Sequence, residues 1–242
     1  MSEFESDVAV EGEEIDVEAV LEEPAEQKEN EHDQPPDYEP PPDETEEPPP
    51  PPEGGGGPAA GHSSQPIAAT CSHRFTAVHH DGNRPVSSID LIVIHSTEGP
   101  TAAGGASWFA NPDSGGSAHL VVDDVICYRT LEDKVIPWGA PGANTHGFHI
   151  EHAGFSRWNR QKWLSHEQTL RRGAFKAAFH AVKFGIPIKL LTANDLRHGR
   201  SGFVTHNTVS EVFHGDHTDP GPGFPLDHFM QLVKSFADDM QG

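Results

Sequence analysis

Cysteine is almost missing from this chain. Its 242 residues hold two, Cys71 and Cys127. Two sulfurs are too few for a disulfide framework. They can pair in an oxidising compartment, but Cys127 lies in the apolar run Val125, Ile126, Cys127, Tyr128 and reads as a core residue. Long apolar runs are missing too. Nothing reaches transmembrane length, which excludes insertion as a membrane helix. The N-terminus, MSEFESDVAVEGEE, has neither a positive n-region nor an apolar h-region, so it does not read as a signal peptide. Basic residues are scarce at the front: residues 1–53 carry 21 acidic side chains against a single Lys28, a charge of -20 out of -22 for the whole chain. The remainder is near neutral, at -2. A near-neutral remainder offers no concentrated basic face, which argues against nucleic acid as the main partner.

What the chain does have is histidine. Sixteen of its 17 histidines lie after residue 53. That enrichment fits metal or acid–base chemistry, though surface histidines would look the same. The acidic front becomes proline-rich, ends in a run from Pro48 to Pro52, and passes through Gly54–Gly57. Self-repulsion and few apolar residues leave nothing to offset the entropy of ordering it. Residues 1–66 therefore read as a disordered tail, and residues 67–242 as one folded domain.

Within that domain, Ile89–Ile94 reads as a buried strand ending at His95-Ser96-Thr97, followed by a short helix around Ala102–Ala110. His119–Val122 and Val125–Tyr128 read as a hairpin around Asp123-Asp124, and Phe148–His152 as a further strand. Ser165-His166-Glu167-Gln168 has the pattern of a capping box that opens a long helix, with Gly185-Ile186-Pro187 closing it. Leu226, Phe229, Val233, Phe236 and Met240 form one stripe of a last helix after Pro225. The expected class is α/β, a central mixed sheet flanked by helices.

The stretch Val204–Pro225, VTHNTVSEVFHGDHTDPGPGFP, reads as a loop crowded with ligand-type side chains. With His95 at a strand end, His206 and Asp219 make a set of two imidazoles and one carboxylate. Such a set suits a catalytic zinc site with its fourth position left open. No compact motif such as HExxH is present, so spacing alone also allows scattered surface histidines.

The segments IVIHST (92–97), SAHLVVDD (117–124), HIEHAG (149–154), VTHN (204–207) and HTDPGPGFP (217–225) together resemble the zinc-dependent N-acetylmuramoyl-L-alanine amidase family. That family includes phage endolysin amidases and the peptidoglycan recognition proteins. The resemblance implies Zn2+ held by His95, His206 and Asp219. It implies Glu151 as catalytic acid–base, in a strand that reads FHIE where many members have IGIE. It implies His217 beside the reacting carbonyl, in place of a more usual Lys or Thr. His119 matches a recurrent strand start and is expected in the substrate groove or supporting a residue of the site from behind, with Trp138 and Asn144 as further substrate contacts. His152 alternates with Glu151 and is expected on the opposite sheet face.

The implied activity is hydrolysis of the amide between N-acetylmuramic acid and L-alanine in peptidoglycan, by a monomeric endolysin that waits in the host cytoplasm until release. The alternatives are a non-catalytic peptidoglycan-binding module and a cytosolic muropeptide-recycling amidase.

Overall fold

The computed structural model describes Ile67 and residues 70–242; the expected tail, residues 1–66, lies outside the described residues. Seven strands are present: β1 His80–Asn83, β2 Leu91–Ser96, β3 Leu120–Val122, β4 Cys127–Arg129, β5 Val135–Pro137, β6 Gly147–His152 and β7 Gly202–Thr205. Six helices join them: α1 Ala102–Phe109, α2 Arg160–Ser165, α3 Glu167–Phe184, α4 Ala193–Arg197, α5 His206–Phe213 and α6 Leu226–Gln241. Five strands form the main sheet in the order β4-β3-β6-β2-β7. β3, β6, β2 and β7 run parallel, and β4 pairs antiparallel with β3 at the edge. β1 and β5 make a separate two-stranded ribbon. The expected mixed sheet flanked by helices is the architecture observed.

Every residue of β2 is buried. A parallel strand covered on both faces needs apolar side chains at nearly every position, and LIVIHS supplies them until its last two. Period-two alternation sends Ile92 and Ile94 to one face and Leu91, Val93 and His95 to the other. The first face packs with Phe148, Ile150 and Leu120 against Leu170, Ala174, Ala177 of α3 and Phe229, Val233 of α6. Small alanines on α3 let it lie close to the sheet. On the second face, Leu91, Val93 and Val204 meet Leu196 and Val209 of α4 and α5, while Val121 and Tyr128 meet Ala102 and Ala106 of α1. The apolar cover of this second face gives way to the side chains of the site.

Two expected boundaries move. Ser165 does not open the long helix. Asn159 caps the preceding α2, its side chain accepting from the Lys162 N–H, and Ser165 Oγ donates back to the Lys162 carbonyl. α3 starts at Glu167 without a cap from its own N-cap residue His166; Asp124 Oδ1 accepts the Thr169 N–H instead. It does end at Gly185, which takes a left-handed φ of 72° as a helix C-terminus often requires. The stretch Val204–Pro225 is not all loop: its first part finishes β7 and forms α5, capped by Thr205 Oγ1 accepting from the Thr208 N–H.

Cys71 and Cys127 are joined by a disulfide, with Cα atoms 4.8 Å apart. Cys127 is therefore not a plain core residue, although its side chain is buried in the core as expected. Ser72 adds backbone hydrogen bonds to Cys127 and Arg129, so the bond and the pairing together tie the start of the domain to β4.

Candidate metal centre

The site lies at the carboxyl ends of β2, β6 and β7, where open α/β sheets bind their ligands. β2 delivers His95, and β7 ends one residue before His206, the first residue of α5. Asp219 comes from the segment before α6. Its carbonyl accepts the Asn207 N–H at 2.9 Å, and its Oδ2 lies 3.4 Å from the Ser96 N–H. The Pro-Gly segment after it runs flush against residues 156–159. A Cβ on Gly221 would stand 1.9 Å from the Ser156 carbonyl oxygen, and one on Gly223 2.0 Å from that of Trp158. The glycines are there for close backbone approach as well as for the bend.

His95 Nδ1 stands 3.1 Å from Asp219 Oδ2, and His206 Nδ1 2.9 Å from Asp219 Oδ1. One ligand-type atom from each of the three residues falls within 4.8 Å of the others, and all three residues are buried. Two imidazole nitrogens aimed at one carboxylate form a donor set able to hold a metal ion. His217 stacks face to face on His206, ring centres 4.2 Å apart, with its side chain 42% exposed. Glu151 sits directly across from His95 on the neighbouring strand. Its Oε2 has no hydrogen-bond partner among the described residues.

Burial and charge set the protonation of these groups. Burial pushes Glu151 up to about 7; the His95 charge opposes this, while Asp219 and Glu98 add to it. Burial works on Asp219 in the same direction, but the short contacts from His206 and His95, with His217 nearby at 3.7 Å, win and hold it well below the usual carboxylate range. Burial lowers His206 to about 4, so its ring is neutral at neutral pH. Burial would also lower His95, but its hydrogen bond to Asp219 and the charges of Glu151 and Asp219 outweigh it and raise the group.

His119 is not in the groove. It is fully buried, stacked on Phe148 at 4.4 Å. Its Nδ1 accepts the His149 N–H at 3.0 Å, so Nε2 carries the hydrogen and donates to the Val135 carbonyl. Arg84 Nη2, 3.2 Å from that nitrogen, is therefore a contact and not a second hydrogen bond. No atom of His119 can meet substrate. Trp138 is 41% exposed and stacks on His79. Asn144 Oδ1 accepts the N–H groups of Gly139 and Ala140, shaping the 139–144 loop. His152 does face away from Glu151, packing on Phe224 and Phe229 and bonding the His95 carbonyl.

Two contributors went unread in the sequence. Glu98, with a left-handed φ of 49°, accepts from Ser96 Oγ and the Ser156 N–H through one oxygen. His149, two residues before Glu151, bonds His95. Period-two alternation already put His149 on the site face, and that was the available signal.

Fold and donor set together define an α/β enzyme whose centre can hold a metal. The profile of the N-acetylmuramoyl-L-alanine amidase family matches residues 82–222, and the chain belongs to that family. Its activity is of the peptidoglycan amidase class. Among solved structures, the Staphylococcus aureus hydrolase AmiA, in complex with its ligand, is similar with a TM-score of 0.57 and 20% identity, covering 72% of this chain and 86% of that one. PlyL follows with a TM-score of 0.50 and 14% identity, over 69% of this chain and 98% of that one. A mutant endolysin from Bacillus subtilis gives 0.48 and 19%, over 68% and 98%. At these identities the likeness is one of fold. No curated protein matches the chain in sequence.

Proposed function

We propose that the protein hydrolyses the amide bond between the lactyl group of N-acetylmuramic acid and L-alanine, with zinc held by His95, His206 and Asp219. The observation that carries this reading is the convergence of two imidazole Nδ1 atoms on one buried carboxylate. Two imidazoles and a carboxylate are a donor set of catalytic zinc sites, which keep one position free. When bound, zinc supplies Lewis acidity that lowers the pKa of a water and polarises a carbonyl. Glu151 takes the proton from the attacking water and hands it to the departing alanine nitrogen. Its support is position and environment: opposite His95, buried, and raised to about 7, where it can accept and return a proton at neutral pH. His217, half-exposed beside His206, donates to the carbonyl oxygen as charge builds there. Trp138 offers an exposed aromatic face to the sugar or peptide.

The biological role in this proposal is that of a phage endolysin, held in the host cytoplasm until release to the wall, with residues 67–242 as the amidase domain and residues 1–66 as a spacer. The Cys71–Cys127 bond suits a final working place that is oxidising. Among the described residues no helix is long and apolar enough to cross a membrane.

One assay tests the reading. Purified peptidoglycan is digested and scored for new L-alanine amino termini. Chelator and Asp219→Ala should each abolish them, and Glu151→Gln should lower kcat by about 10²–10⁴ while leaving zinc content intact. New reducing sugar ends in place of amino termini would overturn the proposal.

A further inference from the structure

We propose that His149 is a positioning residue for the metal-binding nitrogen of His95, an inference that rests on the zinc reading above. His149 and His95 lie on the same sheet face, on adjacent parallel strands, with ring centres 5.1 Å apart and planes within 20°. His95 turns Nδ1 to Asp219 and Nε2 to His149 Nδ1, 3.0 Å away. A cation that takes the Nδ1 lone pair of His95 obliges the ring hydrogen to sit on Nε2. His149 Nδ1 then accepts it, locking the tautomer and the ring plane of the ligand.

The site is built around this ring. His149 is 0% exposed. A Cβ on Gly139 would stand 2.5 Å from His149 Nδ1, and one on Gly147 2.6 Å from its Nε2. Two missing side chains thus shape the space it occupies. Filling space does not explain the residue. An aliphatic side chain would do so without desolvating an imidazole, and His149 Nε2 finds no partner among the described residues. The polar contact that remains to justify the ring is the one to His95.

The test compares full-length wild type, His149→Leu and His149→Asn. Leucine fills the space without an acceptor, and asparagine presents Oδ1 near the place of Nδ1. Zinc affinity is measured by chelator competition, the cobalt(II) form by visible absorption, and the metal-free proteins by thermal unfolding. The leucine variant should bind zinc about 10–100-fold more weakly, the range found when partners behind metal ligands are removed. Its cobalt bands should shift, and asparagine should restore most of both.

Unchanged zinc affinity in the leucine variant, with only the unfolding temperature altered, would make His149 a packing residue and overturn the inference. An asparagine variant as weak as leucine would do the same. If the leucine variant does not fold, Gly139→Ala displaces the ring instead. It should lose affinity similarly, and a wild-type affinity there would count against the idea. Absence of zinc binding in the wild type would instead strike at the proposed function beneath it.

Discussion

His180 shows how a single buried side chain makes the fold sensitive to acid. It lies on α3 with its ring stacked on Phe148 at 4.0 Å. Nδ1 donates to the Lys176 carbonyl at 2.7 Å, and Arg129 Nη2 stands 3.3 Å from Nε2. Asp133 and Lys183 are the other charged groups nearby. Burial lowers His180 to about 4, against an ordinary value of 6.5. Between those values the unfolded chain binds a proton on this ring and the folded one does not. Its contribution is therefore complete above pH 6.5 and is lost as pH falls toward 4. The expected outcome is a stability that declines across that window, by up to about 1.4 kcal/mol per pH unit from this group. Denaturant melts of wild type and His180→Leu at several pH values check it, the variant having the shallower slope. At this scale the sequence was partly readable. His95, His206 and Asp219 could be singled out by strand-end position and residue type, and Glu151 and His217 through the resemblance to a known family. His119 could not be placed, because a residue just before a strand takes whichever face its neighbours leave open. Phe148 and the His149 N–H captured it.

Among the elements, the segment carrying Asp219 into α6 has the least room for change. Gly221 has a φ of 85°, which favours glycine, and its would-be Cβ meets the Ser156 carbonyl oxygen. Gly221→Ala should destabilise the domain by about 1–3 kcal/mol through overpacking. Because Asp219 lies two residues away, the same change should also weaken the zinc binding proposed for Asp219. Thermal melts of the metal-free protein and zinc titration measure the two effects separately. A variant matching wild type in both would show that the segment yields freely. The helices differed in how well they could be read. α6 announced itself by its stripe, of which Phe229 and Val233 are buried. α5 did not, since HNTVSEVF is short, carries β-branched residues and is dense with ligand-type side chains. Its start is set by the Thr205 cap and by burial of Val209 against β2, and both depend on how the chain arrives there. The Ser165 pattern misled for a related reason: Trp163 is buried among Trp158 and Phe224, and that anchor draws a separate short helix in ahead of it.

For the domain as a whole, the disulfide closes a long covalent loop. Cys71 and Cys127 are 56 residues apart, a separation at which cross-linking restricts the unfolded chain by about 4 kcal/mol in the chain-entropy account. Reduction should lower the unfolding midpoint markedly. The candidate metal centre draws on β2, β6, β7, α5 and the segment before α6, none of which carries either cysteine, so the zinc affinity proposed for it should hold under reducing but native conditions. Calorimetry with and without a thiol reductant, paired with zinc titration, checks both halves. Loss of zinc binding on reduction would show that the bond reaches the site.

The sequence alone determined the α/β class and the long helices, and through its resemblance to an amidase family it pointed to His95, His206 and Asp219 as a candidate donor set. Those features are written in local period, in strand-end chemistry and in short segments that keep their meaning out of context. Apart from that resemblance, it left open whether His95 would ever meet residues more than a hundred positions later, and whether two cysteines 56 residues apart would pair. The tertiary structure decided both. Parallel strands bring their carboxyl ends to one edge of the sheet whatever their separation in the chain. That edge is where His95, Glu151 and His206 gather, with Asp219 fastened over them and His149 behind His95.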